Sequence, residues 1–212
     1  MGLRTAARLA AALAIVAIVV FVAPVRDRLL VSVGELLATA DQPAPADTAV
    51  ITPESGAAGD IEAGDLYAKG LVKSVVVLVP APLPIDLELA RRGVRLPNFT
   101  LDTLEQLGIP ETAIRTLEAG EGGTTENTAA LSAWAGPRTG ERFLVIVGPT
   151  HARRYRRAIL RVWPPGHPRP LVIATPYSAF RPATWWQSRT TLRDGLMELE
   201  KLVLDYVQHP FG

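Results

Sequence analysis

Two uninterrupted apolar runs, rich in β-branched residues, constrain the fold of this chain more than any other feature. Residues 75–79 read VVVLV and residues 143–147 read FLVIV. A strand that is apolar on both faces must be covered on both sides, as in parallel sheets flanked by helices. Shorter runs at 49–51, 114–117 and 171–173 predict three further strands.

Amphipathic helical patterns separate these runs. Between the fourth and fifth predicted strands, Ala152, Tyr155, Ile159 and Trp163 recur close to the 3.6-residue period of a helix. Further helices are predicted over 60–69, 101–107 and 125–135, and over a last stripe of Leu192, Leu196, Leu199, Val203 and Tyr206. Strands that alternate with helices predict right-handed βαβ units. The expected fold is a Rossmann-like, three-layer α/β domain with a mainly parallel sheet of about five strands.

The first 26 residues contain a strongly apolar segment. Residues 9–23 read LAAALAIVAIVVFVA and carry no polar side chain. Together with their flanks they approach the length of a transmembrane helix, roughly 17–25 residues. A cleaved signal peptide is the alternative, and the small-residue site at 38–40 lies well beyond the segment.

We expect an uncleaved, single-pass anchor. The arginines before it, Arg4 and Arg8, favour a cytoplasmic amino terminus and an extracytoplasmic domain. The expected organisation is therefore a cytoplasmic amino terminus and anchor at 1–26, a stalk and linker at 27–45, and the α/β domain at 46–212.

Charge and composition exclude several classes of protein. The 22 basic and 21 acidic residues nearly cancel, which speaks against nucleic-acid binding. The chain has no cysteine and three scattered histidines, so no metal site is predicted. No GxSxG motif indicates a serine hydrolase.

The segment after the fourth predicted strand is the most informative candidate site. It reads GPTHARR over 148–154, with Thr150 as the expected N-cap and His151 in the first helical turn. Arg154 follows three residues later and shares a helix face with His151. Histidine moves protons near neutral pH, and arginine holds anions. The alternative is that both residues belong to a solvated helix start.

Two other segments end at the same predicted edge of the sheet. Glu118 ends the third predicted strand, and Thr124, Glu126 and Asn127 begin the next helix. Helix capping explains the threonine, whereas the remaining polar groups point to a shared crevice. The turn at 52–59 is either an ordinary turn or a ligand loop, because its two glycines match neither a GxGxxG nor a Walker motif. A further row of arginines predicts a solvated basic face, which would also suit anionic lipid: Arg153, Arg154, Arg156, Arg157 and Arg161.

The order of these features resembles the SanA/ElyC/YdcF-like family of bacterial envelope proteins, over most of residues 47–206. The residues that carry the resemblance are Asp47, Leu66, Tyr67, Gly70, residues 107–110, Ile114, Glu118, Thr124, Glu126, Asn127, residues 143–147, His151, Arg154, Glu200, Lys201 and Tyr206. The resemblance implies a Rossmann-like fold and a role in cell-envelope or surface-polysaccharide maintenance. It also implies a small-molecule site, for which a nucleotide-like ligand such as S-adenosylmethionine has been considered.

This chain departs from that family on one side of the crevice. Pro53 and Glu54 stand where the family has a glycine pair, and Pro80, Ala81 and Pro82 replace a glycine-rich turn. Glu121 stands where a serine is expected, and Gly59 and Glu62 occupy the candidate positions of an arginine. These departures argue against a ligand that depends on phosphate binding at the first turn.

Three hypotheses follow. In the first, the domain binds a small anionic molecule, with or without converting it. Asn127, His151 and Arg154 are the working groups, and Glu118 and Glu126 orient them. The resemblance adds Asp47 and Thr124 to the candidate ligand-binding residues. In the second, the protein is a non-catalytic scaffold or regulator of envelope assembly with a vestigial site. In the third, it is a methyl-transfer enzyme that faces the cytoplasm.

Overall fold

A computed structural model describes residues 22–94, 98–119 and 123–211, together with Thr5 and Arg8. The strands are β1 (Thr48–Ile51), β2 (Ser74–Val79), β3 (Ile114–Glu118), β4 (Phe143–Val147) and β5 (Leu171–Ala174). The helices within these residues are α1 (Ala23–Leu37), α2 (Gly56–Ala68), α3 (Pro84–Arg91), α4 (Phe99–Gln106), α5 (Thr124–Ala135), α6 (Ala152–Val162) and α7 (Arg189–Gln208).

All five strands pair in parallel, in the order β3-β2-β1-β4-β5. The chain therefore winds outward from β1 in one direction and then returns to add β4 and β5 on the other side. This is the Rossmann-like order, and its topological switch point lies between the carboxyl ends of β1 and β4. The predicted α/β class, the parallel sheet and the five strands are confirmed.

The two faces of the sheet carry separate apolar cores. Alternate residues of the strands pack against α2 and α4 on one face, with Leu66 and Leu104 fully buried. The other residues pack against α5 and α6, where Leu131, Tyr155 and Ile159 are buried. Since side chains alternate along a strand, continuous apolar runs are what a sheet with two covered faces requires.

The residues predicted as a stalk and linker, 27–45, pack against the domain instead. Leu37 of α1 is buried with Trp185, and the Trp185 indole N–H donates to the Leu30 carbonyl at 2.7 Å. Gly34 allows this contact, since a Cβ there would lie 2.8 Å from the Trp185 ring. Asp41 then accepts the backbone N–H of Val172 at 3.0 Å, which covers the edge strand β5. Burial in the core of Trp185 explains the apolar positions Leu30, Val33 and Leu37, whereas Leu29 and Leu36 are exposed.

The last helix also differs from its predicted pattern. Leu192, Leu199 and Tyr206 of the predicted apolar stripe pack on the core of Trp185. Leu196 and Val203 are more than half exposed, whereas Glu198, Leu202 and Asp205 are buried. The reason is that α7 faces the arginines of α6, which need carboxylates rather than leucines as partners. Within the described residues, no helix has the length and hydropathy needed to cross a membrane. The predicted anchor at 9–23 lies outside them apart from its last two residues.

Candidate functional site

A cavity of about 430 Å³ lies at the switch point, beside the carboxyl ends of β1 and β4. The turn after β1 and the turn after β4 form one side of it, and α7 together with the segment after β5 forms the other. Its lining residues are Glu54, Ser55, Ala58, Gly148, Thr150, His151, Tyr177, Ser178, Ala179, Phe180, Thr190, Thr191, Asp194, Met197, Glu198 and Lys201. Ligands of doubly wound sheets bind in this position.

His151 lies on the wall of this cavity, in a short 3₁₀ turn that joins β4 to α6. The turn spans Pro149–His151, so the helix begins one residue later than predicted and Thr150 does not cap it. The His151 Nδ1 lies 3.1 Å from Oε2 of Glu198 on α7. The two chain segments that build the cavity therefore meet through this contact.

Glu198 is a buried carboxylate held by three basic side chains. Arg154 donates to both of its oxygens, from Nε at 2.9 Å and from Nη2 at 3.2 Å. Lys201 donates to Oε1 at 2.8 Å. Burial by itself raises the pKa of Glu198, but the hydrogen bonds and charges of His151, Arg154 and Lys201 outweigh it and lower the pKa to about 2. Glu198 is therefore an anion at all physiological pH values.

His151 Nδ1 lies between an acceptor, Glu198 Oε2 at 3.1 Å, and a donor, Arg154 Nη2 at 3.3 Å. In the tautomer that carries its proton on Nδ1, the anionic Glu198 is the acceptor within reach. The Nε2 atom is then the acceptor, and no described residue contacts it with a hydrogen bond. A histidine with Nδ1 held by a carboxylate and Nε2 available is the arrangement of a general base.

Arg154 has a different role from the one its spacing predicts. Its Nη2 lies 3.3 Å from His151 Nδ1, and its Nη1 donates to the Thr124 hydroxyl at 2.8 Å. Because the Arg154 guanidinium binds both oxygens of Glu198 and the Thr124 hydroxyl, its hydrogen-bond donors are used by protein groups rather than by a ligand. Arg154 thus positions Glu198, and the Thr124 hydroxyl accepts from Arg154 rather than capping α5.

Asn127 reaches the cavity through Glu54, the third residue after β1. Its Nδ2 lies 3.5 Å from Oε1 of Glu54, which is the long limit of a hydrogen bond. The other oxygen of Glu54 is buried and has no partner among the described residues, and the same holds for the Tyr155 hydroxyl. Burial, together with the Glu54 charge, raises the pKa of Tyr155. Glu54 lines the cavity, whereas Tyr155 lies in the core between the sheet and α6.

The remaining candidate residues lie elsewhere. Asp47 lies at the amino end of β1, the opposite edge of the sheet, where it accepts from the Arg142 backbone at 3.0 Å and from Lys73 at 2.8 Å. These two hydrogen bonds lower its pKa, and its role there is to join strands. Glu118 is exposed at the end of β3, the far edge strand. Glu126 is half-buried next to Asn127, and its Oε2 has no partner among the described residues.

Two residues of the crevice, Glu54 and Glu198, are not among the predicted site residues. In the sequence Glu54 is only a departure from the family pattern, although it lies three residues after the first strand. Glu198 lies 44 positions after Arg154 and interrupts an apolar stretch, which is a weak signal. Within the described residues, no cluster of three or more histidines and carboxylates suits a metal ion.

The comparisons with known proteins leave the family open. No family model and no curated protein matches the chain. Among solved structures, a match covers 74% of this chain and 34% of glucose-6-phosphate 1-dehydrogenase from Mycobacterium avium, at 15% identity and a TM-score of 0.37. The chain thus spans about a third of that protein. The fold assignment rests on the strand order and the parallel pairing of this chain itself.

Proposed function

We propose that this chain is a membrane-anchored protein of the bacterial cell envelope. Its crevice binds a small polar molecule, and His151 acts there as a general base. The observation that carries the proposal is the His151–Glu198 contact of 3.1 Å on the wall of the 430 Å³ cavity. The resemblance to envelope proteins and the apolar segment at 9–23 support the location.

The charges around the cavity narrow the class of ligand. Glu54 presents an unpartnered buried oxygen, which favours a hydroxyl or amino donor and disfavours a phosphate at the first turn. Lys201 is half-exposed and lies on the opposite wall, where it offers a cation to one anionic group. The ligand that fits is a carbohydrate-like or nucleotide-like molecule with several hydroxyl groups and one negative charge.

The proposed chemistry is limited to one proton transfer. The Nε2 of His151 accepts a proton from a hydroxyl group or a water molecule bound in the cavity. Glu198, fixed by Arg154, keeps the Nδ1 proton in place and stabilises the imidazolium that forms. Glu54, which lines the cavity, accepts a hydrogen bond from a ligand hydroxyl group through its unpartnered oxygen.

Native mass spectrometry of the purified full chain tests ligand binding. We expect a co-purified small molecule with the parent chain and with His209→Ala, whose exposed side chain lies at the end of α7. The molecule should be lost from folded His151→Ala and Glu54→Gln variants. A ligand that both of these variants retain would contradict a site in this crevice.

Complementation distinguishes a working site from a scaffold. In a strain that lacks the protein and shows an envelope defect, we expect His209→Ala to restore the phenotype and folded His151→Ala to fail. Restoration by His151→Ala would favour the scaffold function instead. An alkaline-phosphatase reporter fused after Phe211 should be active, and an inactive reporter would place the domain in the cytoplasm.

A further inference from the structure

We infer that the outer faces of α1 and α7 form a docking surface for the lipid bilayer to which the anchor attaches the chain. The docking surface is defined here by Val22, Leu29 and Leu36 of the α1 side and by Leu196, Val203, Leu204 and Val207 of α7. This inference rests on the anchor in the proposed function.

The first observation is a row of exposed apolar side chains on α7. Its four residues in the docking surface are each more than half exposed, whereas Leu202, Glu198 and Asp205 are buried on its inner side. A surface helix of a water-soluble domain normally directs its apolar stripe inward and its charges outward. These four side chains share one helix face with the exposed Glu200, and exposed apolar side chains grouped in this way indicate an interaction surface.

The second observation is a matching row on the adjoining helix. Val22, Leu29 and Leu36 are exposed and recur every seven residues, close to two helical turns, so they share one side of α1. The inner side of α1 packs on α7 through the core of Leu37, Trp185 and Leu202. The two exposed rows thus belong to helices that contact each other.

The position of the apolar segment identifies the occupant. Residues 9–21 carry no polar side chain and are separated from α1 only by Val22. The segment has no polar side chains. If it packed against α7, its apolar side chains that did not contact α7 would therefore still be exposed to water. A bilayer covers both the segment and the docking surface. Exposed arginines at the starts of the two helices, Arg28 and Arg189, suit anionic headgroups.

Docking in this way places the crevice beside the membrane. Met197 is half exposed next to Leu196, and it also lines the cavity that contains His151. Lys201, one helical turn further along α7, lines the same cavity. The mouth of the crevice therefore lies along the lipid surface rather than facing away from it.

Depth-dependent quenching of a site-specific fluorophore tests the docking, since the natural chain has no cysteine. The full chain is reconstituted in phosphatidylethanolamine and phosphatidylglycerol vesicles, with an NBD label on Leu204→Cys. Gln106→Cys on α4 is the polar control, and Leu87→Cys on α3 is the exposed apolar control. We expect lipids with brominated acyl chains to remove most of the emission at position 204 and to leave both controls unchanged.

Vesicle flotation separates this result from a failure of the anchor. A chain that does not float with vesicles overturns the anchor and the docking together. A floating chain whose position 204 is not quenched overturns the docking alone. A blue-shifted but unquenched label also overturns it, because a second copy or the chain's own segment then covers α7. In the double variant Val203→Glu/Val207→Glu, quenching at 204 should be lost while urea unfolding is unchanged.

Discussion

Glu198 joins the two halves of the crevice, and its removal should have a pH-dependent effect on stability. Its pKa is lowered from 4.5 to about 2 in the folded chain. Its ionised form therefore stabilises the fold above pH 4.5, by roughly 3 kcal/mol, and this contribution is lost as the pH falls towards 2. Glu198→Gln should lower the free energy of unfolding by that order at pH 7, as measured by urea denaturation.

The matched control is Glu200→Gln, an exposed carboxylate two residues away on α7. It should change the free energy of unfolding by no more than about 0.5 kcal/mol. The difference in the free energy of unfolding between the parent chain and Glu198→Gln should decrease steadily as the pH falls from 4.5 to about 2. A gap that stays constant over this range would show that Glu198 is not ionised through its contacts with His151 and Arg154.

Asp60 has the opposite pH dependence. It is buried in the first turns of α2, its Oδ1 has no partner among the described residues, and burial raises its pKa to about 6 in spite of the Thr100 hydroxyl. Because the folded pKa is above 3.8, stability is lost as the pH rises from 3.8 through 6. Asp60→Asn should therefore raise the free energy of unfolding at pH 7 by about 1–2 kcal/mol, after allowance for solvent screening.

The measurement is urea unfolding at pH 7 and at pH 4. At pH 4 the folded parent chain already carries a protonated Asp60, so the stabilising effect of the substitution should largely disappear. Glu105→Gln on the exposed side of α4 serves as the control and should have no comparable effect at either pH. Equal or lower stability of Asp60→Asn at pH 7 would contradict a strained carboxylate at this position.

At the level of residues, sequence reasoning found the part of the crevice that lies close together in the chain. His151 and Arg154 share a helix start, so their proximity follows from local geometry. Glu198 approaches them, and Glu54 approaches Asn127, only because the sheet brings distant segments together. Asp47 lies at the wrong edge of the sheet because it precedes a strand, whereas the crevice is built from residues that follow strands.

At the level of elements, the contact between α6 and α7 is electrostatic. Asp205 accepts from Arg157 Nε at 2.6 Å and from Arg161 Nη2 at 2.6 Å, and Arg153 donates to the Tyr206 hydroxyl at 2.7 Å. The basic face of α6, predicted to be solvated, is therefore covered by α7. Removal of the shared acceptor by Asp205→Ala leaves two arginines uncompensated and should cost about 2 kcal/mol in urea unfolding.

A double-mutant cycle checks that this cost belongs to the ion pair. Arg161→Ala in the Asp205→Ala background should be less costly than Arg161→Ala alone, because the pair is already broken. Glu200→Ala, on the exposed side of α7, should cost less than about 0.5 kcal/mol. If the changes in the free energy of unfolding for the two substitutions were strictly additive, other contacts would hold α6 and α7 together.

The strands were predictable for a physical reason that does not apply to α7. A strand buried on both faces must be apolar throughout. Residues 143–147 can therefore be predicted as a strand from their own sequence, whatever elements pack against them. The inner face of a helix is apolar only if its neighbour is apolar, and α6 presents arginines. The apolar positions Leu196 and Val203 therefore suggest the wrong face of α7.

At the level of the whole molecule, the domain begins earlier than the sequence indicates. The short proline-rich stretch at 41–47 is typical of a linker, yet Asp41 pairs with Arg156 at 3.1 Å and α1 packs on the core of Trp185. α1 and the crevice are thereby linked through α7, which contacts α1 and carries Glu198.

Truncation tests this extended domain boundary. A chain of residues 23–212 keeps α1, whereas one of residues 47–212 loses the buried Leu37, the hydrogen bond from Trp185 to Leu30, and the Asp41–Arg156 pair. Burial of one leucine contributes roughly 1.5–3 kcal/mol and one hydrogen bond about 1 kcal/mol. The shorter chain should therefore unfold in urea with a free energy at least about 3 kcal/mol lower. Equal free energies of unfolding for the two chains would show that residues 27–45 are a stalk that does not stabilise the domain. Lower stability together with weaker ligand retention would show that α1 supports the crevice.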